Sequence, residues 1–172
     1  MSKILYFRLF GIAGFTLVFD QITKVLIQYS IPFESSYFPP DRVTVVEDFF
    51  YLVHIGNKGA AWGMFSEYSG ILTLLSFAVL LFIYFFRKHL ELHNSSVQVA
   101  FGLLIGGILG NLIDRIRVGH VIDFIDVHLP FTLPYILPSG RWPAFNIADS
   151  AIVIGMLFYL FLSLSFTNKK IH

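Results

Sequence analysis

Long apolar runs alternate with short polar stretches along this chain. Four of the runs approach the roughly 20 residues needed to cross about 30 Å of hydrocarbon. They lie at Ile4–Ile27, interrupted by Asp20 and Lys24; at Gly70–Phe86, short but wholly uncharged; at Val97–Ile113, rich in glycine; and at Ile147–Phe166. The first run has the basic start of a secretory signal, but it is too long for one and no small-residue cleavage site closes it, so a retained helix is expected. Between the runs, "DRVTVVEDFFYLVHIGNKGAAWG" gathers β-branched and aromatic residues without helical period. Short strands are expected over Val43–Ile55 and a turn over Gly56–Gly59. Residues 114–145 hold four prolines and are not expected to form one regular element. The predicted class is an all-α membrane protein of four transmembrane helices with a small β-rich outer subdomain. It is read as one domain over residues 1–172, with outer segments 30–69 and 114–145.

Charge gives the spans a direction. Lys3 and Arg8 flank the first, Arg87 and Lys88 link the second and third, and Lys169 and Lys170 follow the fourth. With four spans these flanks share one side, which the positive-inside rule makes cytoplasmic, both chain ends included. Of the 11 acidic residues only Glu91 lies on that side.

Given those directions, the polar residues inside the spans fall at one level. Asp20 lies about 16 residues along an outward-running helix, or roughly 24 Å at 1.5 Å per residue. "GNLIDR" ends the outward-running third span with Asn111, Asp114 and Arg115, while Asn146 and Asp149 open the inward-running fourth. The loop holding "HVIDFIDV" starts close by. Each group also has a plain structural explanation. Asp20 and Lys24 have the favourable i,i+4 order for a helical ion pair. Asp149 suits a helix start. Asp114 and Arg115 could pair at the interface, Arg117 could snorkel, and Asn57 before Gly59 fits turn chemistry. Ionisable groups within spans are nevertheless expensive and tend to mark function, and here they converge.

Composition narrows the chemistry. The 172 residues are 56% hydrophobic and 13% charged, with 20 Phe, eight Tyr and no Cys. Disulfides, thiolate zinc sites and a Cys nucleophile are therefore excluded. There is no phosphate-binding Gly loop, HExxH or GxSxG; "GLLIGGILG" reads as close helix packing. His89 and His93 fall on the cytoplasmic side and read as solvated. "DFIDVH" offers Asp123, Asp126 and His128 to a divalent metal only weakly, and Ser150 with Lys24 is a poor Ser–Lys pair because Asp20 accounts for Lys24. What remains is two carboxylates held close enough to share a proton, as in hydrolysis without a covalent intermediate. The candidates are Asp149 with either Asp123 or Asp126, and spacing does not choose between the latter two. No cofactor, metal or nucleic-acid partner is called for. An ion or small-molecule transporter is the alternative reading, since buried Asp, Lys and Arg also mark ion pathways; the apolar inner halves of spans two and four oppose it.

Five stretches in order, "DQITK", "NKGAAWG", "GGILGNLIDR", "GHVIDFIDV" and "FNIADSAI", resemble those of bacterial lipoprotein signal peptidase, also called signal peptidase II. The resemblance covers nearly the whole chain. It implies a four-helix aspartyl endopeptidase of the bacterial cytoplasmic (inner) membrane, working near the outer leaflet. Such an enzyme removes the signal peptide of a diacylglyceryl-modified prolipoprotein by cutting just before the modified Cys. By position, the resemblance makes Asp123 and Asp149 the catalytic pair, with Asp126 the less constrained acid. Asn57, Asn111, Arg115 and Asn146 match positions lining the site, and Asp20, Lys24 and Asp114 match supporting positions. It also implies sensitivity to globomycin-type cyclic peptides, contact with membrane lipid and a monomer. Two features depart from the family pattern: Trp62 stands where Phe is expected, and the interval between Asp123 and Asp149, with "LPFTLPYILPSGRWP", is long. The strands around Phe49–Val53 and the loop Asn57–Gly63 are expected to cover the bound lipopeptide.

Overall fold

Burial along the first helix, α1 (Phe7–Ser30), steps by four and three residues through Leu9, Ala13, Thr16, Asp20, Lys24 and Ile27. That is the stripe of one helix face. Its other faces expose Phe10, Phe15, Phe19, Ile22, Leu26 and Tyr29. A helix that hides Asp and Lys while showing Phe and Leu is built for an apolar surrounding. The computed structural model describes residues 6–35, 41–59, 69–135 and 137–169. Lys3, Ile4, Trp62, Gly63 and Lys170, named above, lie outside the described residues.

After α1 come β1 (Val43–Val46), β2 (Phe50–Asn57), α2 (Ser69–Phe86), α3 (Ser95–Val118), β3 (Val121–Val127) and α4 (Ile147–Lys169). All four helices are long and apolar enough to cross a membrane. The helix ends have local causes. Asn94 caps α3, its Oδ1 accepting the Ser96 amide at 2.8 Å. The Arg87 guanidinium closes α2 by donating to the Tyr84 carbonyl at 2.6 Å. His89 and His93 are exposed, as expected.

The chain divides into two compact units. The first comprises the described residues of 1–20, 73–113 and 147–172. Its apolar core joins Leu9, Ile83, Leu92, Val97 and Phe101, with Phe101 edge-on to Tyr159 at 4.9 Å. The glycines of α3 allow close helix approach, as their pattern predicts. A Cβ at Gly106 would lie 2.6 Å from the Ala13 carbonyl oxygen on α1, and one at Gly107 2.5 Å from that of Ala148 on α4.

The second unit comprises the described residues of 21–72 and 114–146. It contains an antiparallel sheet in the order β1-β2-β3, with a register irregularity between Leu52 and Ile55. Two features of this unit correct the sequence reading. Gly56 and Asn57 are not a turn; they continue β2 and pair with Ile122 and Val121. Glycine is required at position 56 because a Cβ there would meet the Phe33 ring at 2.8 Å and His120 at 2.9 Å. The segment "VIDFIDV", read as loop, is the third strand. It is buried on both faces, so the apolar/polar alternation that marks a half-buried strand is missing.

Candidate active site

Asp123 sits in the middle of β3 and is buried. Both its oxygens accept side-chain amides: Asn146 Nδ2 donates to Oδ1 at 2.7 Å and Asn57 Nδ2 to Oδ2 at 2.9 Å. Asn57 is itself fixed, since its Oδ1 accepts the Gly59 amide at 2.8 Å. The local side-chain-to-backbone bond expected of Asn57 is thus present, and its amide also meets Asp123. Arg115 donates to the Gly59 carbonyl at 3.2 Å, which steadies the same stretch.

The long interval after β3 returns alongside it. The Trp142 amide donates to the Val127 carbonyl at 2.9 Å, and Phe145 and Ile125 exchange backbone hydrogen bonds. That antiparallel return delivers the next residue, Asn146, to Asp123. Asn146 also donates to the Ile122 carbonyl at 3.2 Å, which holds its side chain across the strand.

Asp114 anchors the start of β3. It lies 2.7 Å from Lys24 Nζ, accepts Gln21 Nε2 at 3.0 Å and accepts the Ile122 amide at 3.2 Å. Asp114 and Lys24 are fully buried, and a buried ion pair survives only when further hydrogen bonds use its remaining capacity. Gln21 supplies one of them. It was missed in the sequence, where a Gln directly after Asp20 carries no signal of its own.

Asp126 lies three residues from Asp123 on β3, so pleating turns the two side chains to opposite faces. Its Oδ1 accepts Arg141 Nε at 2.8 Å and its Oδ2 lies 3.2 Å from His128 Nε2. The cluster "DFIDVH" is therefore split: Asp126 and His128 join Arg141, while Asp123 joins two asparagines. No group of three or more His, Asp or Glu suited to a metal occurs among the described residues.

In the first unit, Asp20, the end of α3 and the start of α4 come together. Asp20 Oδ1 accepts the Ala148 amide at 2.9 Å, so a residue of α1 provides the capping oxygen for α4. Asn111 Nδ2 donates to Asp149 Oδ1 at 2.7 Å. Asp149, in the first turn of α4, is half-buried.

His120, just beyond α3, has its pKa held below the ordinary histidine value of 6.5. Burial is the main cause, with His54 and Lys58 acting in the same direction and Asp114 opposing. His54 is buried against α1's end; its Nδ1 donates to the Ile31 carbonyl at 3.0 Å.

With this geometry in view, the likeness to known proteins is specific. A family described as signal peptidase (SPase) II matches residues 12–165. The chain is 37% identical over 164 residues to the lipoprotein signal peptidase of Janthinobacterium sp. (strain Marseille), covering 92% of this chain and 89% of that protein. It is 36% identical over 160 residues to that of Staphylococcus aureus (strain JH9), with the same coverage. A solved bacterial membrane enzyme structure at 2.3 Å superposes with a TM-score of 0.77 at 33% identity, covering 92% of this chain and 88% of that one. A second, at 1.9 Å, gives a TM-score of 0.71 at 33% identity, covering 89% and 90%. The family match over most of the chain, the relatives' identities and the superposed fold agree: the chain belongs to the signal peptidase II family of membrane peptidases.

Proposed function

We propose that this protein is an aspartyl endopeptidase that removes the signal peptide from diacylglyceryl-modified prolipoproteins, cutting just before the modified Cys. Family membership makes it a peptidase and displaces the transporter reading. The observation that supports the aspartyl mechanism is the set of side-chain amides that orient Asp123 and Asp149. Asp114 and Asp126 meet cations, Lys24 and Arg141. Asp123 accepts side-chain amides from Asn57 and Asn146, and Asp149 accepts one from Asn111. Amides orient a carboxylate without cancelling its charge, which suits a group that must take and give a proton.

The pairing of Asp123 with Asp149 rests on the matching motifs and on the course of the chain. Asn146, which holds Asp123, immediately precedes α4, and Asp149 is three residues further on. Two neighbouring carboxylates share one proton. The ionised one takes a proton from water as the water oxygen attacks the scissile carbonyl carbon. The protonated one gives its proton to the carbonyl oxygen. Collapse of the tetrahedral intermediate breaks the C–N bond, the leaving nitrogen takes the proton held from water, and the carbonyl re-forms by returning its own. The shared-proton pair is thus restored.

Under this reading both termini face the cytoplasm and the dyad lies near the outer leaflet of the bacterial inner membrane, where a lipid-anchored peptide bond arrives laterally. The enzyme acts as a monomer, and globomycin-type peptides occupy its site. The test is cleavage of a diacylglyceryl-modified prolipoprotein by purified wild type, Asp123→Asn, Asp149→Asn and Asp126→Asn, with a chelator present and folding checked by thermal melt. The reading expects folded, inactive Asp123→Asn and Asp149→Asn and an active Asp126→Asn. Turnover by either dyad variant, or loss of all activity with chelator, overturns it.

A further inference from the structure

The interval after β3 folds into a hairpin that buries Leu137 but exposes Phe131, Leu133, Tyr135 and Trp142. Leu129 and Gly140 close its base, the Leu129 amide donating to the Gly140 carbonyl at 2.8 Å. Leu133 and Leu137 exchange both backbone hydrogen bonds, at 3.0 and 2.8 Å. Gly140 has φ +71°, and a Cβ there would lie 2.9 Å from the Leu129 carbonyl oxygen, so the base needs glycine. Beyond it Phe131 is 53% exposed, Leu133 42%, Trp142 41%, and Tyr135 fully so. Tyr135 is held at φ +72°, a left-handed conformation that non-glycine residues rarely keep without a reason.

We propose that this hairpin is an interfacial anchor that lies in the lipid headgroup region of the outer membrane face. Three observations favour lipid over water or protein. The first is composition: residues 129–147 contain no acid, and their one full cation, Arg141, is already paired with Asp126. Apolar chains tipped with Tyr and Trp suit the boundary between hydrocarbon and headgroups. The second is backbone satisfaction. Four prolines remove donors, and Leu129, Leu133, Leu137, Gly140 and Trp142 place theirs on carbonyls of this unit, which lowers the cost of leaving bulk water for the headgroup region.

The third is continuity with the last part of α1, residues 21–30, inside the same compact unit. Ile31, at the end of α1, is bonded to His54 of β2. Four residues back along β2, Phe50 pairs with Val127, where the hairpin begins. At about 3.3 Å per residue the hairpin starts roughly 13 Å along the sheet from the helix end. The inference depends on the spanning helices and not on the catalytic assignment.

The test uses the full chain in lipid nanodiscs, with Tyr135→Trp as the only tryptophan in a Trp62→Phe, Trp142→Phe background. Retained size and thermal melt establish folding. Nitroxide labels are placed either near the headgroup or at the acyl-chain end of the lipid, with iodide as aqueous quencher. The anchor predicts blue-shifted emission, quenching by the headgroup-proximal label above that by the chain-end label, and little quenching by iodide. Iodide quenching with no lipid quenching puts the hairpin in water and overturns the proposal. Stronger quenching from the chain-end label overturns the interfacial level. Resistance to all three quenchers means protein covers the tip, by a second copy or a neighbouring segment, and also overturns it.

Discussion

The side-chain amide of Asn146 donates to Asp123 Oδ1 at 2.7 Å, and Asn146 is the residue directly before helix α4. One asparagine therefore fixes a carboxylate oxygen of the strand that carries Asp123. Its removal takes one charge-assisted hydrogen bond from Asp123, about 1.5–3 kcal/mol. At 1.36 kcal/mol per tenfold, Asn146→Ala is expected to lower kcat about 10- to 100-fold while KM changes little. Steady-state kinetics on a lipid-modified substrate decide it. An unchanged kcat removes Asn146 from the positioning of Asp123.

Lys24 and Asp114 make a buried pair at 2.7 Å with both side chains fully enclosed. Lys24→Met leaves a buried carboxylate without this cation and should cost about 3–5 kcal/mol. The double variant Lys24→Met, Asp114→Asn should recover part of that loss, because the orphaned charge is gone. Thermal melts of the four proteins in one detergent give the coupling energy. Strict additivity would show that the pair does not act as a unit.

At Gly107 of α3, an added Cβ meets the Ala148 carbonyl oxygen at 2.5 Å, a backbone atom that cannot rotate away. Gly107→Ala therefore has to shift α4 near its first turn, at an overpacking cost of about 1–3 kcal/mol. Because Asp149 is one residue beyond Ala148, activity per folded molecule should fall along with the melting temperature. Full specific activity in a destabilised Gly107→Ala protein would show that the start of α4 tolerates displacement.

His120 should make stability fall with acid. Its folded pKa lies below 6.5, chiefly through burial and then through His54 and Lys58, with Asp114 opposing. Between the folded pKa and 6.5 the unfolded chain binds more protons, so stability rises with pH across that window. The contribution is complete above the window and lost as pH drops through it. His120→Gln should flatten the slope of melting temperature against pH just below 6.5. An unaltered slope assigns that acid sensitivity to another group.

Much of this architecture is legible in the residues alone, and the reason is local. Four helices follow from apolar run length, because a bilayer demands about 20 such residues. Tight packing on α3 follows from its glycines. Strand β3 was not legible: buried on both faces, it lacks alternation. Gly56 was misread as a turn because its real cause, the rings of Phe33 and His120, lies far away in sequence.

Spacing alone left Asp123 and Asp126 as equal partners for Asp149. Tertiary structure separates their surroundings. β3 turns them to opposite faces, gives Asp126 to Arg141 and His128, and gives Asp123 to Asn57 and Asn146. Those partners come from 15, 2, 66 and 23 residues away along the chain. Run length and residue type act within a turn or two of the chain and can be read there. The surroundings of a carboxylate are set by strand register and by a chain that returns from a distance, and only the folded protein decides them.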